Sequence, residues 1–217
     1  MPTSLPPVTR NLLIANVAVF LLQQLMGDYL MVHFALWPWG PDQLMQDHSG
    51  SVISVGFRLW QLVTYAFMHG GYMHIFFNMF ALYMFGGTIE QTFGSRNFTL
   101  YYFVCLVVAA LAQLVVVKYY SHGFEPMLGA SGAIFGLLLA FGMLYPQERV
   151  MLLFPPIPMP AWLFVIGYGV LELVLGVTGR QADVAHFAHL GGMLGGFLMI
   201  EYWRGKFPIK PKRRLMR

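Results

Sequence analysis

Charge is scarce in this chain. Only 10% of its 217 residues are Asp, Glu, Lys or Arg, where a soluble domain carries about 25%. A surface that poor in charge cannot hold a chain of this size in solution. The composition therefore excludes a soluble globular enzyme, a disordered chain and a coiled coil. Cysteine is scarcer still: Cys105 stands alone inside an apolar run, so no internal disulfide can form. No H-E-x-x-H pair is present, which removes the ligand-and-base set of a helical metalloprotease. Internal repeats, low-complexity segments and the paired broken helices of transporters are also missing. The first apolar stretch has no clear A-x-A-like cleavage site and reads as a retained span, not a signal peptide.

What is present is hydrophobic: 58% of the residues, with 16% aromatic, 23 Gly and 15 Met. That mixture suits helices packed in lipid. Charge-poor runs predict six spans, at about 11–32, 72–92, 97–117, 129–147, 160–177 and 184–203. Each is close to the roughly 20 residues that a membrane helix needs. Gly70-Gly71 separates the second span from the loop before it. Pro155, Pro156, Pro158 and Pro160 push the fifth span late. The predicted fold class is an all-α membrane protein, a six-transmembrane-helix bundle. One membrane domain fills residues 1–203, and a basic tail occupies 204–217.

Lys and Arg set the orientation. Seven of the 13 lie between Arg204 and Arg217. With both termini in the cytoplasm, that side holds Arg10, Arg96, Arg149 and the seven tail residues, ten in all, and the outer side holds Arg58, Lys118 and Arg180. This is a positive-inside bias. The tail is expected to lie on anionic headgroups; no nucleic-acid module accompanies it, so nucleic acid is not an expected partner. The long first loop, about 33–71, carries Trp37 and Trp39, read as interfacial anchors.

Polar groups inside spans are costly and usually face the bundle interior. Three clusters qualify: His69, His74 and Asn78 near the second span, Gly129-Ala130-Ser131-Gly132 at the head of the fourth, and His186 and His189 in the sixth. Counted back from Gln147, Ser131 sits about 24 Å above the inner boundary, and His189, counted back from Glu201, about 18 Å. Both depths lie within a hydrocarbon core about 30 Å thick. Gly132 and Gly136 on the fourth span, and Gly192 and Gly196 on the sixth, are small-xxx-small pairs that allow close helix contact. Gly192 and Gly196 share a helical face with His189, so such packing points His189 at Ser131.

Together, His74-x-x-x-Asn78, Gly129-Ala130-Ser131-Gly132 and Ala188-His189-x-x-Gly192-x-x-x-Gly196, in this order on the second, fourth and sixth spans, resemble the rhomboid intramembrane serine proteases. Phe85-Gly86-Gly87-x-x-Glu90 and Gly94-Ser95 add to the likeness. The resemblance implies that Ser131 is the nucleophile and His189 its base, a dyad without a carboxylate. It also implies that His74, Asn78 and the Ser131 N–H hold an oxyanion. Gly129 and Ala130, in the turn before the serine, would belong to the same oxyanion and binding set, with Gly132, Phe135, Gly192 and Gly196 shaping the site. It implies no cofactor or metal. It points to transmembrane proteins as substrates, admitted between the second and fifth helices under a loop at about 178–184, and to a multi-pass protein of the bacterial cytoplasmic membrane. Two positions depart from the family pattern: Trp60-Gln61 where many members have Trp-Arg, and Phe135 where some have Tyr.

Other readings stand beside this one. A histidine-ligated metalloprotein or cytochrome would use His69, His74, His186 and His189. A non-catalytic protein of the same fold would lack the nucleophile or the base. His69 reads as ordering the first loop, Glu90 as capping loop N–H groups, and Glu172 and Cys105 as structural.

Overall fold

The computed structural model describes residues 5–46, 50–151, 156–179 and 185–211. Helix α1 (Pro7–Phe34) opens on a proline, tolerated where the N–H would have no helical partner. It ends at Ala35 as the backbone turns extended. The first loop then forms an antiparallel ribbon, β1 (Gln43–Gln46) with β2 (Val52–Val55). Arg58 ties the ribbon down by donating to both Asp42 carboxylate oxygens, at 2.9 and 2.6 Å. These hydrogen bonds lower the Asp42 pKa. One helical turn, α2 (Gln61–Thr64), and a 3-10 turn (Tyr65–Phe67) bring the chain back to the bundle.

Helix α3 (Tyr72–Ala81) runs through a π-turn (Leu82–Gly86) into α4 (Gly87–Phe93). Here the Phe85-Gly86-Gly87-x-x-Glu90 motif acquires a purpose. A side chain on Gly86 would press on Thr9, so the start of α1 lies directly against it. Glu90 then accepts from Val8 N at 3.0 Å, Thr9 N at 2.7 Å, Thr9 Oγ1 at 2.8 Å and Ser95 Oγ at 2.7 Å. A buried carboxylate thus caps the first turn of α1, where the helix dipole favours negative charge.

Helix α5 (Ser95–Val116) is followed by a π-turn (Val117–Ser121). Helix α6 (Ser131–Leu144) is shorter than the span of 129–147 expected for it. Its 14 residues reach about 21 Å, less than a hydrocarbon core of about 30 Å. A second ribbon, β3 (Arg149–Met151) with β4 (Pro158–Pro160), precedes α7 (Ala161–Thr178). Pro160 stands just before the first residue of α7, as the proline cluster foretold; Pro155 lies outside the described residues. Helix α8 (His186–Trp203) closes the bundle. The architecture is mostly helical, as expected, with two short ribbons added in its loops. Their strands are three or four residues long and largely exposed, with no alternating pattern to betray them.

Among the described residues, three helical stretches are long and apolar enough to cross a membrane: Pro7–Phe34, Ser95–Ser121 and Ala161–Thr178. α8 lies in the centre, packed on α5 and α6. Both contacts run over glycine. A side chain on Gly192 would collide with the Gly132 carbonyl, and one on Gly191 or Gly195 would press on Val108 of α5. Gly196 lies nearest Tyr101 and Cys105 of α5, so the second glycine of that pair serves the other neighbour.

The first loop is fixed by buried Gln61. Its carbonyl accepts from Arg58 N at 3.0 Å and Trp37 N at 3.3 Å, and its amide donates to Gly56 O at 3.3 Å and His33 O at 3.4 Å. Glutamine thus supplies both donors and acceptors at a position where arginine supplies only donors. Trp39 is exposed, as an interfacial anchor should be, but Trp37 is buried and donates to Met31 O and Val32 O at the end of α1.

Candidate active site

Ser131 is the first residue of α6, so its backbone N–H and those just after it have no intrahelical acceptor. The turn before it requires glycine. Gly129 has φ +116°, and a Cβ there would stand 2.7 Å from His74 Nε2. Gly129 N donates to Tyr65 O at 3.0 Å, and Leu36 and Met127 exchange two backbone hydrogen bonds of 2.9 Å, which anchor this turn to the first loop.

His189 Nε2 lies 2.8 Å from Ser131 Oγ. Phe135, one turn along α6 from the serine, stacks on the imidazole with ring centres 4.2 Å apart and planes 7° from parallel. The close crossing of Gly132 and Gly192 brings the two backbones near enough for this contact.

His74 faces the same turn from α3. Its Nδ1 accepts from Gly70 N at 3.2 Å, which leaves the proton on Nε2, the atom nearest Gly129. Asn78 uses one amide hydrogen to donate to His74 O at 2.9 Å. Asn78 and Ser131 line a cavity of about 290 Å³ between α3, α6 and α7, walled by Phe77, Phe135, Phe164 and Tyr168. The structure thus gathers Ser131, His189, His74, Asn78, Gly129, Ala130, Gly132, Phe135 and Gly192 in one place; Gly196 lies a turn away against α5. Chemically the cluster offers a hydroxyl within hydrogen-bond distance of an imidazole nitrogen, with a ring N–H and backbone N–H groups that have no intrahelical acceptor beside it.

Two histidines outside this group differ in setting. His69 is buried, its ring edge on His74 with centres 5.1 Å apart, and Gln23 of α1 holds its backbone N–H and C=O at 3.0 and 2.8 Å. His186 Nδ1 lies 2.7 Å from Glu172 Oε2. The same oxygen is 2.9 Å from His189 Nδ1. Glu172, read from the sequence as structural, thus touches both histidines of α8. The signal was a lone carboxylate among the apolar residues of α7.

Among the described residues, Glu172, His186 and His189 present ligand atoms within 4.8 Å of one another, close enough to be weighed as a metal site. Around a tetrahedral zinc with bonds of about 2.0–2.1 Å, ligand atoms stand about 3.3 Å apart. The O···N separations here, 2.7 and 2.9 Å, are those of charge-assisted hydrogen bonds. The expected roof at 178–184 lies, from residue 180 on, outside the described residues.

Comparison with known proteins places this geometry in context. The family profile described as Rhomboid domain matches residues 56–205. Rhomboid protein 1, mitochondrial, of Saccharomyces cerevisiae is 31% identical over 221 residues, 97% of this chain and 60% of that protein. Rhomboid protease GlpG of Klebsiella pneumoniae is 27% identical over 198 residues, covering 89% of this chain and 62% of its own length. The same-named protein of Serratia proteamaculans is 28% identical over 201 residues, with 91% and 62% covered. The chain thus spans about three-fifths of the length of the curated relatives it matches.

Proposed function

The chain belongs to the rhomboid family, and from that premise we propose that it is an intramembrane serine endopeptidase that cleaves transmembrane segments near the outer face. The observation that carries the reading is the 2.8 Å contact between Ser131 Oγ and His189 Nε2 at the edge of an apolar cavity. Ser131 attacks the scissile carbonyl carbon as its proton passes to His189 Nε2. The negative charge that develops on the carbonyl oxygen is held by the Ser131 N–H, the His74 Nε2–H and the Asn78 amide. Each such donor in a dry site is worth about 2.7–4 kcal/mol. The C–N bond then breaks as His189 returns the proton to the leaving nitrogen. Water repeats the sequence on the acyl-enzyme, with His189 again taking the proton.

The same reading sets the chain in the bilayer as six spans with both termini in the cytoplasm, a membrane domain to residue 203 and a basic tail beyond it. The ten-to-three distribution of Lys and Arg supports this orientation. The shortness of α6 agrees, since it leaves Ser131 below the outer surface. Substrates would be transmembrane proteins, admitted laterally between α3 and α7, where the cavity lies. A helical segment must unwind there, because its hydrogen bonds otherwise hide the carbonyls. For the compartment, the family resemblance leads us to a bacterial cytoplasmic membrane; two of the relatives above are bacterial and one mitochondrial.

The test is covalent labelling of the purified protein with a fluorophosphonate probe. Wild type should be labelled, while Ser131→Ala and His189→Ala should lose at least 99% of the signal. Labelling that survives Ser131→Ala would show that another residue is the nucleophile.

A further inference from the structure

We propose that Glu172 of α7 is a positioning residue that makes the dyad a carboxylate-supported site: it holds His189 in the tautomer that faces Ser131 and steadies the imidazolium formed when the serine proton is taken. The inference rests on the assignment of Ser131 and His189 above.

Glu172 is the one charged residue of α7, and it is buried. A buried carboxylate without partners is strongly disfavoured, and its surroundings must account for it. They do so through a single oxygen. Oε2 lies 2.7 Å from His186 Nδ1 and 2.9 Å from His189 Nδ1. A carboxylate can only accept, so a hydrogen bond from either nitrogen requires a proton on it, and the 2.9 Å approach places His189 Nδ1 to donate. With its proton on Nδ1, His189 has its lone pair on Nε2, the atom 2.8 Å from Ser131 Oγ. The run Glu172, His189, Ser131 then has the donor and acceptor order of a nucleophile, a base and the group that orients the base. Glu172 gains no proton in the cycle; its charge faces the ring while the ring is cationic.

The two contacts are unequal. The one to His186 is well aligned. The one to His189 is short without meeting hydrogen-bond geometry, and His189 Nδ1 has no hydrogen-bond partner among the described residues. Catalytic hydrogen bonds in unoccupied sites are often poorly aligned and tighten when substrate binds. His186, one turn before His189 on α8, therefore holds the carboxylate within reach, and a small movement of α7 completes the alignment.

The experiment uses the full chain in nanodiscs. Nitrogen-15 NMR of the wild type, with the His189 signals assigned by their loss in His189→Ala, should find His189 protonated on Nδ1. Fluorophosphonate kinetics of Glu172→Gln should show the maximal inactivation rate down at least tenfold, with the half-saturating probe concentration within twofold of wild type. Glu172→Asp, which keeps the charge, should recover part of that rate. A His189 protonated on Nε2 in the wild type would overturn the proposal, and so would a folded Glu172→Gln that reacts at the wild-type rate. If Glu172→Gln does not fold, the wild-type tautomer decides. If the wild type takes no probe, the protease reading fails instead, and the tautomer still settles the relation of Glu172 to His189.

Discussion

A single methyl group measures how closely α6 and α8 approach. Gly192→Ala would drive a Cβ into the Gly132 carbonyl, a backbone atom that cannot step aside. Overpacking of this kind costs about 1–3 kcal/mol, so thermal unfolding of the variant in detergent should show a clear drop in midpoint. Gly167→Ala is the matched control. It lies within α7 with nothing within 4 Å of the added carbon, and it should gain about 1 kcal/mol of helix propensity. Equal effects from the two substitutions would contradict the close crossing. The residues gathered at this crossing were legible in the sequence because their spacing is local: histidine four before asparagine, glycines four apart. Glu172 was not. Its partners stand 14 and 17 positions away across a loop, and no spacing rule connects them.

At the scale of elements, the joint between α1 and α4 depends on one carboxylate. Glu90→Gln keeps the size but replaces an acceptor oxygen with a donor amide facing the Val8 and Thr9 donors. The loss of a charged cap should cost about 2 kcal/mol. For a chain of this length that is a fall of about 4–8 °C in the unfolding midpoint. A variant as stable as wild type would mean that the α1 cap carries no weight. Helices were the legible elements, because long apolar runs and prolines declare them. The ribbons were not, because strands of three or four exposed residues leave no periodic trace. Gln61 shows the same limit: its departure from Trp-Arg was visible, but only the fold reveals four hydrogen bonds around it.

For the whole molecule, the question is which ends share a side of the membrane. Cys105 is fully buried, so the native chain gives little background to a thiol reagent. Val52→Cys in the first ribbon and Ile209→Cys in the tail are both at exposed positions. A membrane-impermeant maleimide applied to intact cells should label the first at once and the second only after permeabilisation. The reverse pattern would invert the proposed orientation.

Helix α7 is held to the bundle by few buried residues. Of its 18 residues only Ala161, Val165 and Glu172 are buried. Within a bilayer, exchanging an apolar contact with protein for one with acyl chains is close to neutral, since no water is released. Swinging α7 outward therefore costs little beyond the separation of Glu172 from its histidines. The traffic of substrates through that side would answer to the lateral pressure and viscosity of the surrounding lipid more than to the rigidity of the protein, and the same chain would turn over at different speeds in fluid and in ordered membranes.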